Sequence, residues 1–163
     1  HYDNDFEVFE TDRAHAYFES FKKWKQLNAG MVTQIPRLYC FDLMITGESD
    51  GLWANSEHRL PTIIDWKCSA KANPKMWNMQ AHYYWYLQYQ NGIKCRDTMV
   101  WVHLQQSKQI KKDPETNLGH VIYHPLQPIV YEFQFDEKVL SECIDEAHRY
   151  WEEYNDAKVL DCK

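Results

Sequence analysis

Residues 62–69, Thr-Ile-Ile-Asp-Trp-Lys-Cys-Ser, constrain the fold more than any other stretch of the chain. This apolar run opens just after Pro61 and ends on two ionisable residues, Asp65 and Lys67. Paired isoleucines favour an extended backbone, and a run this short, bounded by a proline, predicts a buried strand. Ionisable groups at the edge of a core are costly unless paired, hydrogen-bonded or bound to metal. The segment is therefore either a strand end reaching water or a site. Alternation along a strand sends Asp65 and Lys67 to one face and Trp66 to the other.

Around this strand the periodicity predicts a mixed α/β layer arrangement. Ala14, Tyr17, Phe18, Phe21 and Trp24 form a helical stripe between Thr11 and Asn28. Two stretches rich in β-formers follow, 31–41 and 42–53, with a turn at Phe41-Asp42. Residues 75–90 read as an aromatic-loaded helix, mostly core, stopped by Asn91-Gly92. Residues 98–105 read as a strand, 106–119 as a polar loop or hairpin tip, and 120–126 and 129–135 as further strands. Val139, Leu140, Cys143, Ile144, Ala147, Tyr150, Trp151 and Tyr154 make a last helical stripe, with Asp136 as its N-cap. The order places a helical crossover between the third and fourth strands. With 163 residues and no linker-like stretch, a single domain over 1–163 is expected, with the possibility that its start has been trimmed.

A second acid stands in a matching context. Ile45-Thr-Gly-Glu-Ser-Asp-Gly51 places Asp50 beyond another apolar strand and between glycines. Two neighbouring strands can bring Asp50 and Asp65 over one cleft, with Lys67 beside them. Two carboxylates and a lysine suit metal-assisted phosphodiester hydrolysis: oxygen ligands hold Mg²⁺, and the ammonium orients or helps deprotonate the attacking water. Asp-x-Lys alone is weak, and it recurs at Asp136/Lys138 and Asp156/Lys158. Those pairs lie in a helix, where residues two apart share no face. Asp50 alone reads as an ordinary turn residue, and Asp65 with Lys67 as a solvated ion pair worth little.

Three linked motifs together carry more. Gly47-x-x-Asp50, then Ile63-Ile64-Asp65-x-Lys67, then Gln80-x-x-x-Tyr84 on a helix resemble the RecB-type branch of the PD-(D/E)XK nuclease superfamily, over roughly residues 30–105. The Asp-Trp-Lys-x-Ser form is similar to that of phage exonucleases and of mitochondrial genome maintenance exonuclease. The resemblance implies a mixed central β-sheet flanked by helices, with a restriction-endonuclease-like αβββαβ core. It implies that Asp50, Asp65 and the Trp66 backbone carbonyl ligate Mg²⁺ or Mn²⁺, and that Lys67 is the catalytic ammonium. Gln80 and Tyr84 would hold DNA or support the site. Gln34 stands where many relatives carry a Glu ligand, and His15 is the candidate for an early-helix His, with Thr11 where Gly is expected.

The implied activity is a metal-dependent deoxyribonuclease, an exonuclease leaving 5′-phosphates, with RNA as the other polymer open to it. Two alternatives stand beside it: a nuclease-fold binding module that has lost its chemistry, which Gln34 favours, and a subunit activated by a helicase or recombination partner. Lys71 and Lys75, with Lys94, Arg96, Lys108, Lys111 and Lys112, are candidates for a rim following phosphates. The net charge of −6 limits any basic surface to a local groove. His120 and His124 fall in strand and loop, which disfavours a zinc pair. Five widely spaced cysteines without a Cys-x-x-Cys pair argue against a disulfide framework or a zinc or iron–sulfur site. A reducing, intracellular setting is expected, bacterial or phage-infected cytoplasm or the mitochondrial matrix, and no apolar run is long enough to span a membrane.

Overall fold

The computed structural model describes residues 12–112, 114–115 and 119–161, less the side chains of 12, 112, 120 and 158–161. Thr11, the side chains of Lys112, His120 and Lys158, and Cys162 therefore lie outside the described residues. The chain is mixed α/β. In order it forms α1 (Asp12–Leu27), β1 (Met31–Thr33), β2 (Leu38–Cys40), β3 (Ile45–Gly47), β4 (Gly51–Ala54) and β5 (Thr62–Lys67). Then come α2 (Pro74–Gln90), β6 (Thr98–His103), β7 (Gln106–Lys112), β8 (Gly119–Pro125), β9 (Ile129–Gln134) and α3 (Glu137–Asp161).

The central sheet has the strand order β1-β4-β5-β6-β9. β1 with β4 and β4 with β5 are antiparallel. Arg96 N donates to Pro61 O and Leu104 N to Lys67 O, so the partners advance together and β5 runs parallel to β6. Phe135 N donates to Asp97 O, joining the end of β9 to the start of β6, which makes that pair antiparallel. The sheet is mixed, and α2 is the crossover that the parallel step requires.

By their contacts the residues fall into two compact units that interleave along the sequence. The larger one takes residues 30–65, 73–101 and 131–163. Its core lies between the sheet and α2, where Ile63, Trp77, Ala81, Met99 and Trp101 pack with Leu52, Tyr84, Tyr131 and Phe133. A helix aromatic on every side needs cover on more than one, and α2 receives it. Its opposite flank meets α3, where Tyr83 Oη donates to the Cys143 carbonyl at 2.6 Å. Asn73 N-caps α2 by accepting from Met76 N, Pro74 fills the first turn, and Gly92 ends it at φ +71°. The β2–β3 hairpin turns Leu38, Cys40 and Leu43 onto Leu87 of α2.

The smaller unit comprises residues 1–29, 66–72 and 102–130. Ala16, Ser20 and Trp24 form its buried helical line. Trp66 stands edge-on to Phe21 and Trp24, with centroids at 5.4 and 5.7 Å. Lys23 Nζ donates to Pro125 O, and Gln105 N to Ser20 Oγ. β7 and β8 pair in unbroken register from Gln106–Pro125 to Lys112–Gly119.

Several expectations need correction. The stretches 31–41 and 42–53 each break into two short strands, because Pro36 lacks the N–H a ladder needs and the turn at 41–44 starts a separate hairpin. Residues 106–112 are a strand rather than a loop, since backbone pairing with β8 outweighs their polar composition. On α1 the buried line runs through Ala16 and Ser20, one helical step from the apolar stripe. On α3 only Cys143 and Ala147 of the stripe are buried; Tyr150, Trp151 and Tyr154 are exposed, since the helix runs past the elements that cover its first half. Among the described residues, no helix is long and apolar enough to cross a membrane.

Candidate active site

Strand β5 sets the first carboxylate. Alternation puts Asp65 on the face of Ile63, which packs under α2 with Trp77, Ala81 and Trp101. Asp65 is therefore carried toward α2 and is only 4% exposed. Strand β4 sets the second. Its register with β5 pairs Trp53 with Thr62, Leu52 with Ile63 and Gly51 with Ile64. The ladder ends there, with Asp50 the next residue on one strand and Asp65 the next on the other. Asp50 is exposed and lies in the bend before β4, so one acid is held in the core's edge and the other faces water.

Both acids act on one phenol. Burial first, then the negative charge of Asp65, raises the pKa of the Tyr84 hydroxyl, and Asp50 and Glu48 add to the effect. The hydrogen bond from Gln80 Nε2 to Tyr84 Oη, 2.9 Å long, works the other way. Gln80 and Tyr84 are one turn apart on α2, as their spacing required. Tyr84 also stacks on buried Trp101, with centroids at 6.0 Å, which fixes its ring. A recess of about 320 Å³ opens beside them, lined by Ile45, Thr46, Gly47, Gln80, Tyr83, Tyr84 and Leu87.

Two glycines let these parts approach. A Cβ on Gly47 would lie 2.9 Å from Tyr84 Cε1 and 2.9 Å from Leu87 Cδ1. A Cβ on Gly51 would meet Val32 Cγ1 at 2.6 Å and the Thr33 carbonyl oxygen at 2.9 Å. At Gly47 a methyl would have to displace the Tyr84 and Leu87 side chains, and at Gly51 it would meet the backbone of β1.

The remaining candidates are placed as follows. Lys67 closes β5 and is half-buried. The Trp66 indole packs against α1 on the other face. Gln34 is exposed and lies just past β1, not on it. Continued register puts it in the row of Gly51 and Ile64, one step from the row of the acids. His15 is exposed on α1, with Nε2 3.5 Å from Glu19 Oε1. Lys71 and Lys75 are exposed, and the Lys71 carbonyl accepts from Ser69 Oγ. Among the described residues, no three His, Cys, Asp or Glu side chains gather as a metal-ligand group, so neither His15 nor another such residue joins the two acids.

Reading the sequence missed three contributors. Glu48 reaches the Tyr84 hydroxyl with its charge, Trp101 braces the ring, and Ser49 is buried between the hairpin and Asp50. The signal for Glu48 was its place inside the Gly47–Asp50 motif; Trp101 announced nothing beyond a core residue. No protein-family model matches the chain, and no curated protein matches it at a significant level.

Proposed function

We propose that this chain is a divalent-metal-dependent nuclease that hydrolyses phosphodiester bonds of DNA as an exonuclease, leaving 5′-phosphates. What supports the reading is that Asp50 and Asp65 each follow the Gly51–Ile64 pair on neighbouring strands and that the charge of each raises the Tyr84 pKa. The run α1, β1, β4, β5, α2, β6, with β2–β3 inserted, supports a restriction-endonuclease-like αβββαβ core.

The donor set fits a hard cation. Two carboxylates suit Mg²⁺ or Mn²⁺, and with no third acid or imidazole in the group the other positions fall to water and backbone carbonyl, the Trp66 carbonyl among them. Bound there, the ion would offset charge on the phosphoryl group and acidify a bound water. Asp65 supplies a fixed charge whose position the sheet determines. Asp50, reached from solvent, supplies one that an incoming ion meets first. Lys67, on the same strand face as Asp65, would hold a phosphate oxygen or orient water. Tyr84 keeps its proton at neutral pH, and its oxygen already accepts from Gln80. Its O–H is thereby directed as a donor, suited to a phosphate oxygen in the recess. Lys71 and Lys75, both exposed, would meet the backbone further along.

The test is cleavage of end-labelled single- and double-stranded DNA in Mg²⁺, Mn²⁺ or EDTA, by the wild type, Asp65→Ala and Lys67→Ala. Metal-dependent release of mononucleotides or short ladders that both substitutions abolish is the expected result; full activity in either variant rejects the assignment. A second reading, a nuclease-fold module that binds without cutting, is favoured by exposed, neutral Gln34 outside the acid row. DNA binding without divalent-ion binding would identify it.

A further inference from the structure

We propose that the outer face of the β2–β3 hairpin is a stacking platform for the bases of single-stranded nucleic acid entering the Asp50–Asp65 site, an inference that rests on the nuclease reading for the polymer's route. Strand alternation turns Leu38 and Cys40 into the core and sends Arg37, Tyr39 and Phe41 outward. Phe41 is 79% and Tyr39 51% exposed, and their rings stack, with centroids at 6.1 Å and planes 10° from parallel. Together they form an exposed pair of parallel rings against which a base can stack. Arg37, next in the row, is exposed, with Nε 3.6 Å from Oε2 of Glu48, just past the paired strand.

The hairpin is built to hold these rings in place. Buried Leu43 anchors the turn, and Met44 N donates to Phe41 O with Met44 in the left-handed region at φ +52°. Asn91 Nδ2 donates to Tyr39 O, tying β2 to the end of α2. The same hairpin reaches the site: Ile45, Thr46 and Gly47 of β3 wall the recess of Gln80 and Tyr84, and the chain continues through Glu48 and Ser49 to Asp50.

The patch fits bases better than a protein. Tyr39, Phe41 and Met44 are its exposed apolar side chains, flanked by Arg37, Asp42 and Glu48. A stable protein interface needs roughly 20–30 residues a side. Base stacking needs only one or two rings, tolerates any sequence, and demands unstacked bases, which singles out a single strand over a duplex. A neighbouring guanidinium serves the phosphate between stacked bases, once it exchanges Glu48 for that anion.

The experiment is fluorescence anisotropy with a short labelled oligothymidylate and the matching duplex, in EDTA at low salt, using the full chain. Tyr39→Ala with Phe41→Ala is expected to weaken single-strand binding roughly 10- to 100-fold, leaving duplex binding and thermal unfolding unchanged. Tyr39→Leu with Phe41→Leu, which keeps apolar bulk without a π face, is expected to behave as the alanine pair. Unchanged single-strand affinity, no binding by the wild type, or a loss matched by dissociation of a dimer in sedimentation would each overturn the platform. Cleavage in Mn²⁺ by the same proteins reports on the nuclease reading alone, since binding in EDTA requires no chemistry.

Discussion

Gly51 pairs with Ile64 at the end of the β4–β5 ladder, with Asp50 and Asp65 the next residue on each strand. A divalent cation held by both carboxylates would offset their mutual repulsion. Asp50→Asn and Asp65→Asn should each abolish Mn²⁺ binding measured by calorimetry. Mn²⁺ binding of wild-type affinity in the Asp65 variant would refute the pairing.

Gly47 and Gly51 should respond differently to alanine. At Gly47 the new methyl meets the side chains of Tyr84 and Leu87, which can yield, so destabilisation of about 1–3 kcal/mol is expected. At Gly51 it meets the Thr33 carbonyl as well, and backbone does not move aside. Urea titration should therefore rank Gly51→Ala as the more destabilising. Equal midpoints would show that β1 and β4 part more easily than their pairing implies.

Burial first, and then the charge of Asp97, pushes the Cys95 thiol up to about 11. Burial and then Glu146 push Cys143 up to about 11 as well. Both folded values lie above the unfolded thiol's, about 8.5. Their contribution to stability is thus complete below about pH 8.5 and is lost as pH rises toward 11, because the unfolded chain releases those protons first. Urea midpoints should fall across that window, and the fall should flatten in Cys95→Ala with Cys143→Ala. A stability that climbs with pH there would contradict the sign. Cys68, exposed, should be alkylated well before Cys143.

His82 joins two helices through a single neutral ring. Its Nδ1 lies 2.8 Å from the Asn78 carbonyl and so donates, while Nε2 accepts from Asp136 N at the start of α3. Fully buried, it also stacks on Phe135. His82→Leu should cost roughly 1–3 kcal/mol, since the Asp136 N–H loses its acceptor. A urea midpoint equal to the wild type's would show that water replaces the ring there.

The amino-acid sequence by itself determined the local structure and the identity of the candidate chemistry. Asn73-Pro74 and Asn91-Gly92 bracket α2, the 62–67 run is a strand, and Gln80 and Tyr84 bond across one turn, because each depends on residues a few positions apart. Tertiary structure alone decided what depends on distant partners. Polar residues 106–112 become a strand only because β8 supplies their backbone partners. Tyr150, Trp151 and Tyr154 make a helical stripe that nothing covers, since a period states which side chains share a face and not what packs against it. Asp50 and Asp65 each read as a strand end; only the antiparallel pairing of β4 on β5 puts both just past one Gly51–Ile64 pair.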